Sequence, residues 1–135
     1  QQAGRAVWRL PLAFAAMLFF GAMLALTGTA LPTLEAGITT SVVVLGLLLA
    51  IAPHITPSLG LGLAGAFAVF HGYAHGSAML QMVPAFSYLL GLVIATAVLP
   101  LAGIALGGEL RRAGGQWLLR CVGAVIACSG ILLWA

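Results

Sequence analysis

Long apolar stretches fill most of the chain, separated by short breaks that carry proline, glycine or charged residues. A helix needs about 20 mostly apolar residues to cross the hydrocarbon core of a bilayer. The pattern therefore predicts an all-α, polytopic membrane helix bundle with five transmembrane helices. The predicted helices cover about residues 8–31, 35–52, 57–82, 84–110 and 116–135.

Prolines mark most of these breaks. Pro32 and Pro53 follow the first two spans, where a residue that cannot continue a helix is common. Pro57 and Pro84 open the third and fourth spans, where a missing N–H is no loss. Pro100 lies inside the fourth span and predicts a kink. Because the breaks are only a few residues long, we expect residues 1–135 to form a single bundle of antiparallel neighbours.

Composition agrees with a membrane protein. Hydrophobic residues make up 63% of the chain and charged residues only 5%, where a soluble domain carries about a quarter. The mean hydropathy is +1.20. The lipid bilayer is therefore the expected partner. Nucleic acid is not expected, because the sequence offers no basic face.

The charges predict an orientation. The arginines fall on one side of a five-span arrangement together with His54, and the opposite side has Glu35 but no Lys or Arg. The positive-inside rule then places the N-terminus and the turn before the last helix in the cytoplasm, with the C-terminus outside. We expect a multi-pass protein of the bacterial inner membrane. The arginines are Arg5, Arg9, Arg111, Arg112 and Arg120.

Candidate chemistry is concentrated in the segment FHGYAHG, residues 70–76, which contains His71 and His75. Residues four apart lie on one face of a helix, so the two imidazoles can meet one ion. Imidazole suits nickel, zinc, copper and iron(II). A hydrogen-bonded packing role for the pair is equally open. Glu35 is expected on the same outer side, either as a metal ligand or as a first-turn residue favoured by the helix dipole.

Other chemistries have less support. A haem bridged between two helices is not expected, because the third histidine, His54, lies at the opposite membrane face; a single axial ligand to haem or chlorophyll remains open. No phosphate-binding loop indicates a nucleotide cofactor. No spacing supports a nucleophilic triad, so we expect no enzyme and no catalytic residue. Cys121 and Cys128 are interpreted as small packing residues.

Small residues recur at four-residue spacing in the last three spans. Such faces let helices approach closely in a bilayer, so they predict a tight bundle. The pairs are Gly60/Ala64, Gly62/Ala66, Gly72/Gly76, Gly103/Gly107 and Gly123/Ala127.

The FHGYAHG segment resembles the signature helix of the HupE/UreJ family, small integral membrane proteins associated with nickel supply to hydrogenase and urease. The resemblance extends to LPLAF at 10–14, LPTLEAGI at 31–38 and SVVVLG at 41–46, and it covers nearly the whole chain. It implies that His71 and His75 are metal ligands and that Glu35 is a polar residue of the site.

The sequence departs from the family pattern in two places. Family members have an additional first helix with a His and an Asp-His pair, and this chain resembles the family from its second helix onward. The family signature also continues to a Glu shortly after the second histidine, where this chain has Ala78. If the additional helix belongs to the protein, transport is still expected. If it is absent, a site of two imidazoles and a distant Glu35 is too poor to pass a cation.

The sequence is compatible with two functions of different classes, a transporter and a structural subunit. The first is facilitated or secondary transport of a divalent transition-metal cation, nickel or cobalt, that supplies metalloenzyme maturation. His71 and His75 would bind the ion, with Glu35 near the entry. The alternative is a non-transporting structural subunit of a larger membrane complex, in contact with a pigment or cofactor. A homo-oligomer and a larger complex both remain open.

Overall fold

The computed structural model of the chain describes residues 2–51, 56–81 and 85–134, with side chains from Leu10 onward except Ala85. His54, Pro53 and Pro84 therefore lie outside the described residues. Within these ranges the chain is all helical, with no strand. The helices are α1 (Gln2–Leu26), α2 (Leu34–Ile51), α3 (Pro57–Met79), α4 (Ala85–Arg112) and α5 (Gln116–Trp134).

The helical class is confirmed, but five membrane spans are not. Among the described residues three helices are long and apolar enough to cross a membrane: Leu34–Ile51, Phe86–Arg112 and Gln116–Trp134. The apolar part of α1, Leu10–Leu26, is shorter. α3 is not among them because its glycines, serines and two histidines lower its mean hydropathy.

The first helix ends earlier than the apolar pattern predicts. α1 stops at Leu26, although apolar residues continue to Leu31. Gly28 has φ +74°, a conformation that glycine adopts without the steric cost of a Cβ atom, and it follows a turn in which the Thr27 N–H donates to Met23 and Leu24 O. A glycine cap therefore ends the helix before Pro32 can. At Pro100, by contrast, the helical conformation of α4 continues.

The described chain forms two compact units, and α4 contributes to both. The first unit spans Gln1–Leu34 and Thr56–Leu101, and it holds α1, α3 and the first part of α4. The second spans Glu35–Ile55 and Ala102–Ala135, and it holds α2, α5 and the end of α4. The single bundle over residues 1–135 stays a prediction.

In the first unit, α1 and α3 touch backbone to backbone through glycines. A Cβ added at Gly72 would overlap the Leu18 backbone carbonyl, and one at Gly76 would lie 2.5 Å from Ala22 O. Gly21 of α1 has the same relation to the Val69 carbonyl of α3. The Tyr73 hydroxyl also donates to Thr29 O, at 2.9 Å, beyond the end of α1. These contacts fix the rotation of α3 against α1.

In the second unit, α2 and α5 also touch backbone to backbone through glycines. A Cβ at Gly46 would lie 2.5 Å from Ala127 N, and one at Gly123 would overlap the backbone at Ala50. Gly130 faces the Val43 side chain at 2.7 Å. Helices in lipid associate through such small-residue contacts because hydrocarbon offers no hydrophobic driving force between them.

The small-residue prediction is therefore correct for only part of the chain. Gly72/Gly76 and Gly123/Ala127 are close-packing positions. Gly62, Gly103 and Gly107 have no atom within 4 Å of an added Cβ among the described residues, so these faces are open. Cys121 and Cys128, expected to pack, are instead free and exposed thiols of α5.

Replacing Gly72 by Ala should destabilise the first unit. The new methyl group would meet the rigid Leu18 carbonyl, and overpacking of this kind costs about 1–3 kcal/mol. Thermal unfolding of purified protein in detergent, followed by circular dichroism, measures the change. Gly62→Ala is the matched control in the same helix, because its Cβ would enter open space. Equal melting temperatures for the two variants would contradict the packing of α1 on α3.

Candidate metal site

Helix α3 carries the histidine pair, and its start is set locally. The Thr56 side chain accepts a hydrogen bond from the Leu59 N–H, at 3.4 Å, and Pro57 occupies the first helical position. Gly72 and Gly76 are buried in the contact with α1. His71 and His75 each precede one of these glycines, so both are half-buried beside the contact rather than inside it.

His71 is held by its own helix. Its Nδ1 lies 3.0 Å from Phe67 O, one turn earlier. A carbonyl oxygen only accepts, so the neutral ring must carry its proton on Nδ1. The Nε2 atom of His71 is thereby left with a free lone pair, the state in which imidazole binds a metal.

His75 is held by a different helix. Its Nδ1 lies 2.8 Å from the hydroxyl of Tyr88 on α4, and the two rings are tilted at 51° with centroids 6.2 Å apart. A hydroxyl can donate or accept, so this contact permits either neutral tautomer. If Nε2 binds a metal, Nδ1 carries the proton and donates to Tyr88, the outer-shell arrangement typical of metal-binding histidines.

Sequence reasoning missed Tyr88. The signal was available, because Tyr88 and Ser87 are the polar residues near the start of an otherwise apolar α4. A short connection makes α3 and α4 neighbours, so the last turns of α3 should meet the first turns of α4. The pairing with His75 rather than with His71 could not be predicted without the helix rotation.

Both histidines line one cleft in the first unit. The cleft has a volume of about 730 Å³ and a mostly apolar wall formed by α1, α3 and α4. Tyr88, Thr96 and Pro100 of α4 line it as well. A second cleft of about 630 Å³ shares His75 and Thr96 but not His71. The predicted pair thus lines a common, mostly apolar cleft rather than a packed interface.

Glu35 is an exposed residue in the first turn of α2, which belongs to the second unit. Its role beside the histidines stays a prediction. No group of three or more His, Cys, Asp and Glu residues that could hold a metal ion occurs in the described parts of the chain. The other acid, Glu109, pairs with Arg112 at 2.7 Å, where both side chains are largely exposed.

The arrangement can supply two imidazole nitrogens to a divalent ion. With two protein ligands, water or mobile groups must complete the coordination shell. Such a site differs from the closed four-ligand sites that hold structural zinc permanently.

The three long apolar helices are those of a helical membrane protein. The profile of the HupE / UreJ protein family matches residues 1–133, so the chain belongs to the HupE/UreJ family, as its histidine segment predicts. Protein HupE of Rhizobium leguminosarum bv. viciae is 35% identical over 130 residues, which cover 96% of this chain and 68% of that protein. No solved structure matches the chain.

The hydrogen bond between His71 and Phe67 O predicts which ring nitrogen of His71 carries the proton. In protein labelled with ¹⁵N-histidine in lipid at neutral pH, His71 should show a protonated Nδ1 and an unprotonated Nε2. The His71→Gln variant assigns the resonance, and His75 serves as the internal comparison. A His71 ring protonated on Nε2 alone would contradict the contact.

Proposed function

We propose that this chain carries a divalent transition-metal cation, nickel or cobalt, across the bacterial inner membrane to supply metalloenzyme maturation. His71 and His75 bind the ion. The observation that carries the proposal is that His71 and His75 line the same cleft, while Nδ1 of His71, and not Nε2, is held by the Phe67 carbonyl. Membership of the HupE/UreJ family supports the transport role and a non-enzymatic function.

The binding chemistry follows from the two anchored rings. Imidazole nitrogen is a favourable ligand for nickel. Nε2 of His71 is available because Nδ1 donates to Phe67 O, and Nε2 of His75 is available in the tautomer whose Nδ1 donates to Tyr88. Among the residues that the structure describes, no carboxylate lines the cleft, which keeps the site's affinity for the ion modest. Modest affinity favours release, which a carrier requires.

The membrane arrangement is part of the proposal. All five helices cross the bilayer as a single bundle, with the arginine-bearing turn between α4 and α5 in the cytoplasm and the C-terminus outside. α3 then rises from the cytoplasm, so His71 lies roughly 20 Å from its start. Glu35 begins α2 from the outer side, where its carboxylate attracts cations toward the histidines.

A structural role in a larger membrane complex is the second candidate. It is favoured by the open faces at Gly103 and Gly107, since small residues with no neighbour can admit another helix. Ala78 also favours a structural role, because it stands where the family signature has an acid that could bind a cation. Purification from native membranes distinguishes the structural role from metal transport. A partner protein that co-purifies in a fixed ratio, together with no metal binding, supports the structural role.

Loss of the histidines should abolish transport. Uptake of radioactive nickel into proteoliposomes containing the His71→Ala/His75→Ala protein is expected to fall to the level of empty vesicles, because both ring ligands are gone. Replacing His54, which sequence reasoning places at the opposite membrane face, by Ala is the matched control and should retain uptake. Wild-type uptake by the double variant would exclude these ligands.

Tyr88 should strengthen metal binding by orienting His75. Tyr88→Phe keeps the ring and removes the hydroxyl, so nickel affinity should fall by about 10-fold, the lower end for loss of an outer-shell partner. Calorimetric titration of the purified protein measures it. Tyr73→Phe, which removes a hydroxyl bonded to Thr29 O instead, should leave nickel affinity unchanged. Equal affinities for the two variants would contradict the role of Tyr88.

A further inference from the structure

Pro100 interrupts the backbone hydrogen-bond pattern of α4 where this helix lines the cleft that holds His71 and His75. Pro100 has no N–H, so the carbonyl oxygen of Thr96, four residues earlier, lacks the donor that a helix normally supplies. In an apolar environment an unpaired carbonyl is costly and needs a substitute donor. No other residue of this cleft wall creates such a vacancy among the residues the structure describes.

The carbonyl oxygen of Thr96 lies between two residues of the cleft wall, Thr96 and Pro100. Backbone carbonyls point along the helix axis from residue i toward residue i+4, and Thr96 and Pro100 are such a pair on one face. Both line the cleft that holds His71 and His75. The oxygen between them therefore borders the same space as the two imidazoles.

The oxygen lies further along the cleft than the contact with His75. Thr96 follows Tyr88 by eight residues, roughly 12 Å along α4. The cleft lining on α4 extends from Ser87 to Pro100, so one continuous wall connects the two positions.

We propose that the Thr96 carbonyl oxygen is a second station for the divalent cation, after the histidine pair. The ion arrives with bound water, and a water hydrogen donates to the carbonyl in place of the missing Pro100 N–H. Carbonyl oxygens freed from helical pairing line ion paths in other membrane transporters. A station that holds the ion through water binds it more weakly than two imidazoles, so it assists exit from them.

This inference rests on the proposed transport function and is tested at a different step. Pro100→Ala supplies the N–H that pairs the Thr96 carbonyl. Equilibrium nickel binding at the histidines should remain within about twofold of the wild-type value, while the maximal uptake rate into proteoliposomes should fall about tenfold. That factor corresponds to one hydrogen bond involving a charged partner.

Pro11→Ala is the matched control. Pro11 also lies inside a helix, but it borders the second cleft and not the one that holds His71. This variant should keep the wild-type uptake rate.

Pro100→Gly provides an N–H without a side chain, so it decides the question if Pro100→Ala fails to fold. Wild-type uptake rates in a folded Pro100 variant would overturn the second station. An equal loss in Pro11→Ala would also overturn it, because helix straightening alone would then explain the effect. Failure of the proposed function is distinguished by wild-type protein that neither binds nor takes up nickel.

Discussion

The close contact between α1 and α3 is the constraint on which the candidate site depends. Gly21, Gly72 and Gly76 bring two backbones together so tightly that no Cβ atom fits between them. A helix seated in this way cannot rotate without separating from its neighbour. The residues that precede Gly72 and Gly76 are therefore held beside the contact, and those residues are the two histidines. Packing and chemistry share one short segment of α3.

The sequence predicted the helices and the chemistry of this segment, because apolar length and residue spacing are local properties. The histidine pair and the contact at Gly72 both follow from four-residue periodicity. The end of α1 was predicted too late, because apolar content continues through Gly28, whose positive φ ends the helix. The open faces at Gly62, Gly103 and Gly107 show that small-residue spacing permits close packing but does not by itself specify a partner.

The contact of His75 with Tyr88 could not be predicted, because it depends on the rotation of two helices about their axes. The glycine spacing of α3 bears on the rotation of that helix, but nothing in the spacing of α4 sets the rotation of α4. The role of Glu35 depends in the same way on an arrangement of helices that its own segment does not determine. Pro100, in contrast, could be interpreted from sequence as a backbone interruption, and the structure adds that the interruption borders the histidine cleft.

The two histidines differ in what holds them, and this asymmetry has a mechanical consequence. His71 is tied to Phe67 on its own helix, whereas His75 is tied to Tyr88 on α4. A displacement of α4 would stretch or break the contact of His75 with Tyr88 and leave the contact of His71 with Phe67 O unchanged. Of the two ring contacts, only that of His75 therefore depends on the separation of α3 and α4.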